Sequence, residues 1–160
     1  MSENIQDLPL SCELLEFSVL HTWTEVTEKQ QGSTPISIRP DIRVSMNERE
    51  YSAFILCEYA IDRFKFRCAL DGKFRFGEPL SAENVGNAWV NACTMLYGIA
   101  RGLFSNSVMQ AIHKPYFLPS VMMANYVNRR LQEIKEANER KAVSEKNAPP
   151  SKTTPPQAQP

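Results

Sequence analysis

The stretch DRFKFRCALDGKFRF, Asp62 to Phe76, alternates between apolar and basic side chains. Phe64, Phe66, Cys68, Leu70, Phe74 and Phe76 take the even positions, and Lys65, Arg67, Lys73 and Arg75 the odd ones. A period of two sends successive side chains to opposite faces of a strand. The stretch therefore reads as a half-buried strand, with aromatics packed beneath and a basic row above. Asp71-Gly72 is a turn or bulge signal within it, and the alternation resumes beyond it in the same phase.

Three further strands precede it. In LLEFSVLHTWTEV the odd positions Leu15, Phe17, Val19, His21 and Trp23 share a face. In ISIRPDIRVSM the even positions Ile36, Ile38, Ile42, Val44 and Met46 share one, opposite Arg39, Asp41 and Arg43, and Pro40 marks an edge or a bulge because it has no backbone donor. NERE supplies a turn into YSAFILCEYAI, apolar at Tyr51, Ala53, Ile55, Cys57, Tyr59 and Ile61, with Phe54 and Leu56 on the other side. A tight connection at Asp62-Arg63 follows. The spacings allow hairpins and leave no room for crossover helices, so the expected sheet is a four-stranded antiparallel meander.

From Ser81 the period changes to that of a helix. Val85, Ala88, Trp89, Ala92, Leu96, Ile99 and Leu103 recur at three and four, with Ser81 as N-cap and an end between Met109 and Ile112. Gly98 and Gly102 lie one turn apart inside it, each costing about 1 kcal/mol against Ala, and read either as a kink or close helix contact or as plain local weakness. In HKPYFLPS, Pro115 and Pro119 bracket Tyr116, Phe117 and Leu118 in a loop. A second helix starts near Pro119 or Ser120 and carries Met122, Met123, Tyr126, Val127, Leu131 and Ile134 on one side. From Asn147 the chain holds five prolines in fourteen residues and no large apolar side chain, the composition of a disordered tail. The division is an N-terminal extension over 1–13, one α+β domain over 14–141 with the sheet packed on two C-terminal helices, and a proline-rich tail over 142–160.

At 160 residues, one domain with a tail is the natural size. Eighteen basic and eighteen acidic residues cancel, which argues against a nucleic-acid partner. The N-terminus has no signal-peptide pattern and no apolar run approaches the roughly 18 residues of a spanning helix, so a cytoplasmic location without membrane insertion is expected. Cys12, Cys57, Cys68 and Cys93 are scattered as buried thiols would be, and His21 and His113 lie far apart. With no phosphate loop, dinucleotide fingerprint, nucleophile elbow or zinc-protease motif, neither an enzyme nor a cofactor or metal is expected. What the chain does have is apolar surface beyond the needs of one sheet-on-helix interface, which suits binding of varied apolar partners.

The order of parts resembles the SecB family of export chaperones over roughly residues 14–135. FKFRCALDGKFRF is similar to that family's fourth strand, NACTMLYGIARGLFSNSV to its first helix, and FLPSVMMANYV to the leucine-proline opening of its second. The resemblance implies an ATP-independent holdase for unfolded polypeptides, acting in export or for a dedicated client, and assembled as a homotetramer, a dimer of dimers. It implies an apolar groove of Ile36, Ile38, Ile42, Val44, Tyr116, Phe117, Leu118, Met122, Met123 and Tyr126. Trp89, Cys93, Leu96 and Ala100 exceed what one helix stripe needs against a sheet, and by resemblance they would be buried between protomers. Two departures stand out. Tyr97-Gly98 replaces a proline usual in the family, and where export members carry an acidic outer face for the SecA motor this chain has Lys65, Arg67, Lys73 and Arg75. That face is then solvated or meets another, acidic partner. The alternative within the same fold is an antitoxin-associated or phage-type adaptor without a general export role.

Overall fold

In the computed structural model, which describes residues 12–44, 49–81, 84–113 and 116–146, the strand over Asp62–Phe76 is the second half of a longer one. Strand β3 runs without a break from Glu50 to Phe76, and β1 (Cys12–Gln31) and β2 (Ser37–Val44) pair with it antiparallel in the order β1-β3-β2. Helices α1 (Val85–Ile112) and α2 (Met123–Lys146) complete an α+β fold. Three strands stand where four are expected, because the two segments that meet at the expected Asp62-Arg63 connection belong to a single strand, β3.

That run doubles back on itself. A straight strand of 27 residues would be about 90 Å long, yet the Phe76 N–H donates to the Arg49 carbonyl at 2.8 Å. The Tyr51 ring stacks on Phe74 at 5.6 Å, and Arg67 reaches Glu58 at 3.3 Å. These pairs all centre between Asp62 and Arg63, and Asp62 holds φ at 52°. Aspartate is one of the few residues besides glycine that enters this left-handed region readily.

The meander also needs correction. β1 lies beside the second arm of β3, from Cys12 opposite Phe76 to Gln31 opposite Asp62, whereas β2 lies beside the first arm, from Ser37 opposite Glu58 to Val44 opposite Tyr51. The connection between them rounds the tip of β3. There the Thr34 N–H donates to the Ala60 carbonyl at 2.9 Å, and the Ala60 N–H donates to the Thr34 hydroxyl at 3.2 Å.

Pairing about a point between two residues swaps parity, so odd residues of the first arm and even residues of the second share a face. Tyr51, Ala53, Ile55 and Cys57 are buried with Phe64, Phe66, Cys68, Leu70, Phe74 and Phe76 against α1. Phe104 of α1 packs edge-on against both Phe66 and Tyr59. The Tyr51 hydroxyl donates to the Ala88 carbonyl at 3.1 Å and lies 3.0 Å from Cys12 Sγ, tying β1, β3 and α1 together.

The helix ends differ from expectation at their starts. Helix α1 begins at Val85, because Ser81 and Asn84 exchange side-chain to N–H bonds of 2.6 and 3.3 Å in a turn that precedes it. It ends at Ile112, where His113 turns left-handed and its N–H donates to the Met109 carbonyl. Helix α2 begins only at Met123, since the Tyr97 hydroxyl holds the Pro119 carbonyl at 2.7 Å and pins residues 116–120 in an irregular path over α1.

By compactness the chain forms one unit to Arg130 and a second from Leu131. The described part of the second is the remainder of α2, with Glu136 placed to pair with Gln132 and Arg140 one turn away on either side. The expected proline-rich tail from Asn147, most of the N-terminal extension, and Asn47 and Glu48 of the NERE turn lie outside the described residues.

Candidate functional site

The expected groove residues separate by depth. Ile38, Leu118 and Met123 are buried, and they belong to the core with Val127. Tyr116 is half-buried against Phe64, with ring centroids 6.2 Å apart, and Ile42 is half-buried on β2. The side chain of Val44 lies outside the described residues. Phe117 and Met122 are free, 63% and 71% exposed.

Phe117 borders a cleft of about 590 Å³ over the outward face of α1, floored by Gly98 and Gly102 and walled by Arg101, Ser105, Asn106 and Met109. A β-carbon added at either glycine would meet open space, so within this chain they serve no close helix contact. Ile36 and Tyr126 meet elsewhere, in a second cleft of about 480 Å³ with Pro35, Ser37, Asn125 and Arg129. There the Tyr126 hydroxyl donates to the Ile36 carbonyl at 3.4 Å and the Arg129 guanidinium lies over the Tyr126 ring. The nine expected residues whose side chains are described thus divide between the core, half-buried positions, two clefts and an exposed rim.

The outward sheet face brings Lys65, Arg67, Lys73 and Arg75 together, as alternation requires, but no basic row stands alone. Lys65 pairs with Glu25, Arg67 with Glu58, Lys73 with Glu50, and Arg75 with both Glu13 and Glu50. Such exposed pairs contribute about 0–1 kcal/mol each. The hydrogen bond from Arg75 holds the Glu50 carboxyl below its ordinary range. The glutamates come from β1 and from the first arm of β3, far away in sequence.

β1 carries apolar surface that reading by parity misplaces. Register shifts at Leu14/Glu16 and Val19/His21 change its phase twice, so Phe17 and Val19 stand opposite Gly72 and Leu70 on the helix side. His21 and Trp23 stand opposite Ala69 and Arg67 on the outward side. Phe17, Val19, Leu20, Trp23 and Val26 are between 43% and 59% exposed. Trp23 and His21 line a third cleft, of about 580 Å³, with Thr34, Pro35, Glu58 and Arg67.

Trp89, Cys93, Leu96 and Ala100, expected between protomers, are 0–1% exposed within a single chain. They fill the space between α1 and its own sheet, which corrects that assignment. The face of α1 that remains outward is unusual in another way, because Arg101 is the one charged residue in all 28 positions of the helix. Solvated helix faces normally carry charge. That shortage is legible in the sequence and is the signal that locates this face.

Among the described residues no group of histidine, cysteine and carboxylate side chains is arranged to hold a metal ion. Burial pushes the Cys57 and Cys68 thiols above their ordinary range and Cys93 up to about 12, the opposite of what a nucleophilic thiol needs. No helix among the described residues is long and apolar enough to cross a membrane.

No family model and no curated protein sequence matches the chain. Solved structures do. A Mycobacterium tuberculosis SecB-like chaperone in complex with a ChAD peptide from the HigA1 antitoxin superposes with a TM-score of 0.52 at 14% identity, over 69% of this chain and 90% of that one. A protein of unknown function from Streptococcus agalactiae superposes with a TM-score of 0.46 at 12% identity, over 69% and 98%. At such identity the likeness is one of fold: the chain shares the architecture of a SecB-like chaperone.

Proposed function

We propose that the protein is a nucleotide-independent holdase that keeps extended polypeptide segments from aggregating, and that it serves a dedicated client rather than export at large. The observation that carries this is the placement of bare apolar side chains on a fixed frame. Phe117 and Met122 project from a segment pinned to α1 through Tyr97, beside a helix face with almost no charge. Contiguous exposed apolar surface of this kind marks an interaction site, and methionine adapts to varied partners. The fold neighbour that binds an antitoxin peptide supports a dedicated client. The carboxylate-bridged outer face differs from the acidic docking surface expected for the SecA motor. Binding is the whole activity in this reading, with no catalysis and no cofactor, and it takes place in the cytoplasm. In this reading, assembly into a dimer of dimers uses surfaces other than Trp89, Cys93, Leu96 and Ala100, and the uncharged face of α1 is the natural one.

A chemically denatured model protein diluted into buffer should stay soluble when this protein is present at stoichiometric ratio, without nucleotide. Replacing Phe117 and Met122 by Ser should weaken that protection about tenfold, or ~1.4 kcal/mol, and leave the unfolding midpoint in place because both side chains are exposed. Leu118→Ser should instead lower the midpoint. No protection at a several-fold excess refutes the reading.

A further inference from the structure

The reversal at Asp62 brings together two cysteines that the sequence keeps apart. The pairing that sets Glu58 beside Arg67 and stacks Tyr51 on Phe74 sets Cys57 of the first arm directly opposite Cys68 of the second. Both face the helix side, and both are 0% exposed. Thr22 of β1 stands opposite Cys68, and Ile38 of β2 stands opposite Cys57, so the pair lies in the middle of one row across the sheet. The Thr22 hydroxyl lies 4.0 Å from Cys68 Sγ. The two thiols interact electrostatically, and Cys93 and Tyr97 reach Cys57 from α1.

Opposed residues of an antiparallel ladder have Cα atoms about 4.5–5.5 Å apart. That separation falls inside the roughly 4.4–6.8 Å that a disulfide spans. The two side chains also leave the sheet on the same side, so joining them asks for no backbone movement. The other cysteines are placed differently. Cys93 lies across the interface between helix and sheet, and Cys12 stands opposite Phe76 with its thiol against the Tyr51 hydroxyl.

We propose that Cys57 and Cys68 are a site of oxidation by small-molecule disulfides, and that the bond they form locks the two arms of β3 in register. Burial keeps both thiols protonated in the closed fold, so the reaction waits for local opening. The arms meet across a two-residue reversal and stay opposed while the helix layer lifts. One cysteine then ionises and attacks a sulfur of the oxidant, whose S–S bond breaks; a mixed disulfide forms and one small thiolate leaves. The second cysteine, as thiolate, attacks the protein sulfur of that mixed disulfide, and the other small thiolate leaves. The protein gives up two electrons and two protons, and the oxidant becomes two thiols. The new bond constrains the unfolded chain around Asp62, which makes the oxidised protein the more stable form. None of this rests on the holdase reading.

The test treats the full chain at about pH 8 with bis(2-hydroxyethyl) disulfide, in buffer and at urea concentrations below the unfolding midpoint, and maps the products with trypsin without reduction. Cleavage after arginine and lysine puts Cys57, Cys68 and Cys93 in separate peptides, 50–63, 68–73 and 76–101. Peptide 50–63 should be joined to 68–73, and the yield should rise with urea as opening becomes frequent. The ratio of this link to all others should be about tenfold higher than in fully unfolded protein, where loop length alone sets the pairing. The crosslinked protein should unfold at higher urea, and dithiothreitol should reverse the shift. Cys57→Ala or Cys68→Ala should abolish both effects, whereas Cys93→Ala should keep the link; should a variant fail to fold, the wild-type peptide map decides the same question. Thiols that stay reduced at every urea concentration below the midpoint, mixed disulfides that never resolve, or links to Cys93 or between chains in place of this one overturn the proposal. So does pairing no more selective than in the unfolded chain, or a crosslinked protein that unfolds at the same or lower urea.

Discussion

Leu96 of α1 sits directly on Gly72 of β3, so closely that a β-carbon built at position 72 falls 2.9 Å from Leu96 Cδ2 and 2.8 Å from the Phe74 ring. The helix reaches the sheet here because one side chain is missing. Gly72→Ala should therefore destabilise by about 1–3 kcal/mol through overpacking. In urea unfolding, Gly72→Ala combined with Leu96→Ala should cost less than the two single changes added together, because the second makes room for the first. Strict additivity would contradict the contact.

The reversal at Asp62 makes a second prediction. A β-branched residue pays roughly 1–2 kcal/mol to hold the left-handed conformation, so Asp62→Val should lower the thermal midpoint. Asp62→Gly should leave it nearly unchanged. If both variants behave alike, the backbone at φ 52° is not what sets the turn.

The thiols predict a pH dependence. In the unfolded chain a cysteine ionises near pH 9.0, whereas burial raises Cys93 to about 12 in the folded protein. Burial shifts Cys57, Cys68, Tyr51 and Tyr97 in the same direction. Above pH 9 the unfolded state sheds protons that the folded state keeps, so stability is intact below pH 9 and falls between 9 and 12. Urea midpoints that stay level from about pH 8 to 11 would contradict this. At about pH 8 a thiol reagent should titrate at most Cys12 in the native protein, and all four cysteines after unfolding.

Much of the fold is legible in the sequence because its cues are local. The alternation over Asp62–Phe76 marks the buried face residue by residue, and the three-four spacing from Val85 marks α1 to its last turn. Whatever depends on distant partners is not legible. A single register shift in β1, between Val19 and His21, turns Trp23 away from Phe17, and no residue type in LLEFSVLHTWTEV announces it. Glu50 and Glu58 become neighbours of Arg75 and Arg67 only after the chain reverses at Asp62, so a sequence window around the basic row sees cations alone. At the candidate site, Phe117 and Leu118 are adjacent and equally apolar, yet one is exposed and the other buried. Only the path of the segment over α1 distinguishes them. The stripe of Trp89, Cys93, Leu96 and Ala100 looks too wide for one sheet, and the doubled β3 is wide enough to cover it.

The passage of the chain around the tip of β3 also orders how the protein folds. The arms of β3 meet across a two-residue reversal and can zip from Asp62 outward on the fast timescale of hairpins. β2 then closes contacts about 20 residues apart, Ser37 with Glu58, whereas β1 must find partners as distant as Phe76 from Cys12. Loop-closure entropy makes such non-local pairing the slow step. We expect β1 to dock last and to fray first, so that its amides exchange fastest among the three strands in the isolated protein. A nascent chain would have to release β3 past its reversal at Asp62 before its first strand had anything to pair with, and all of β3 before Cys12 did.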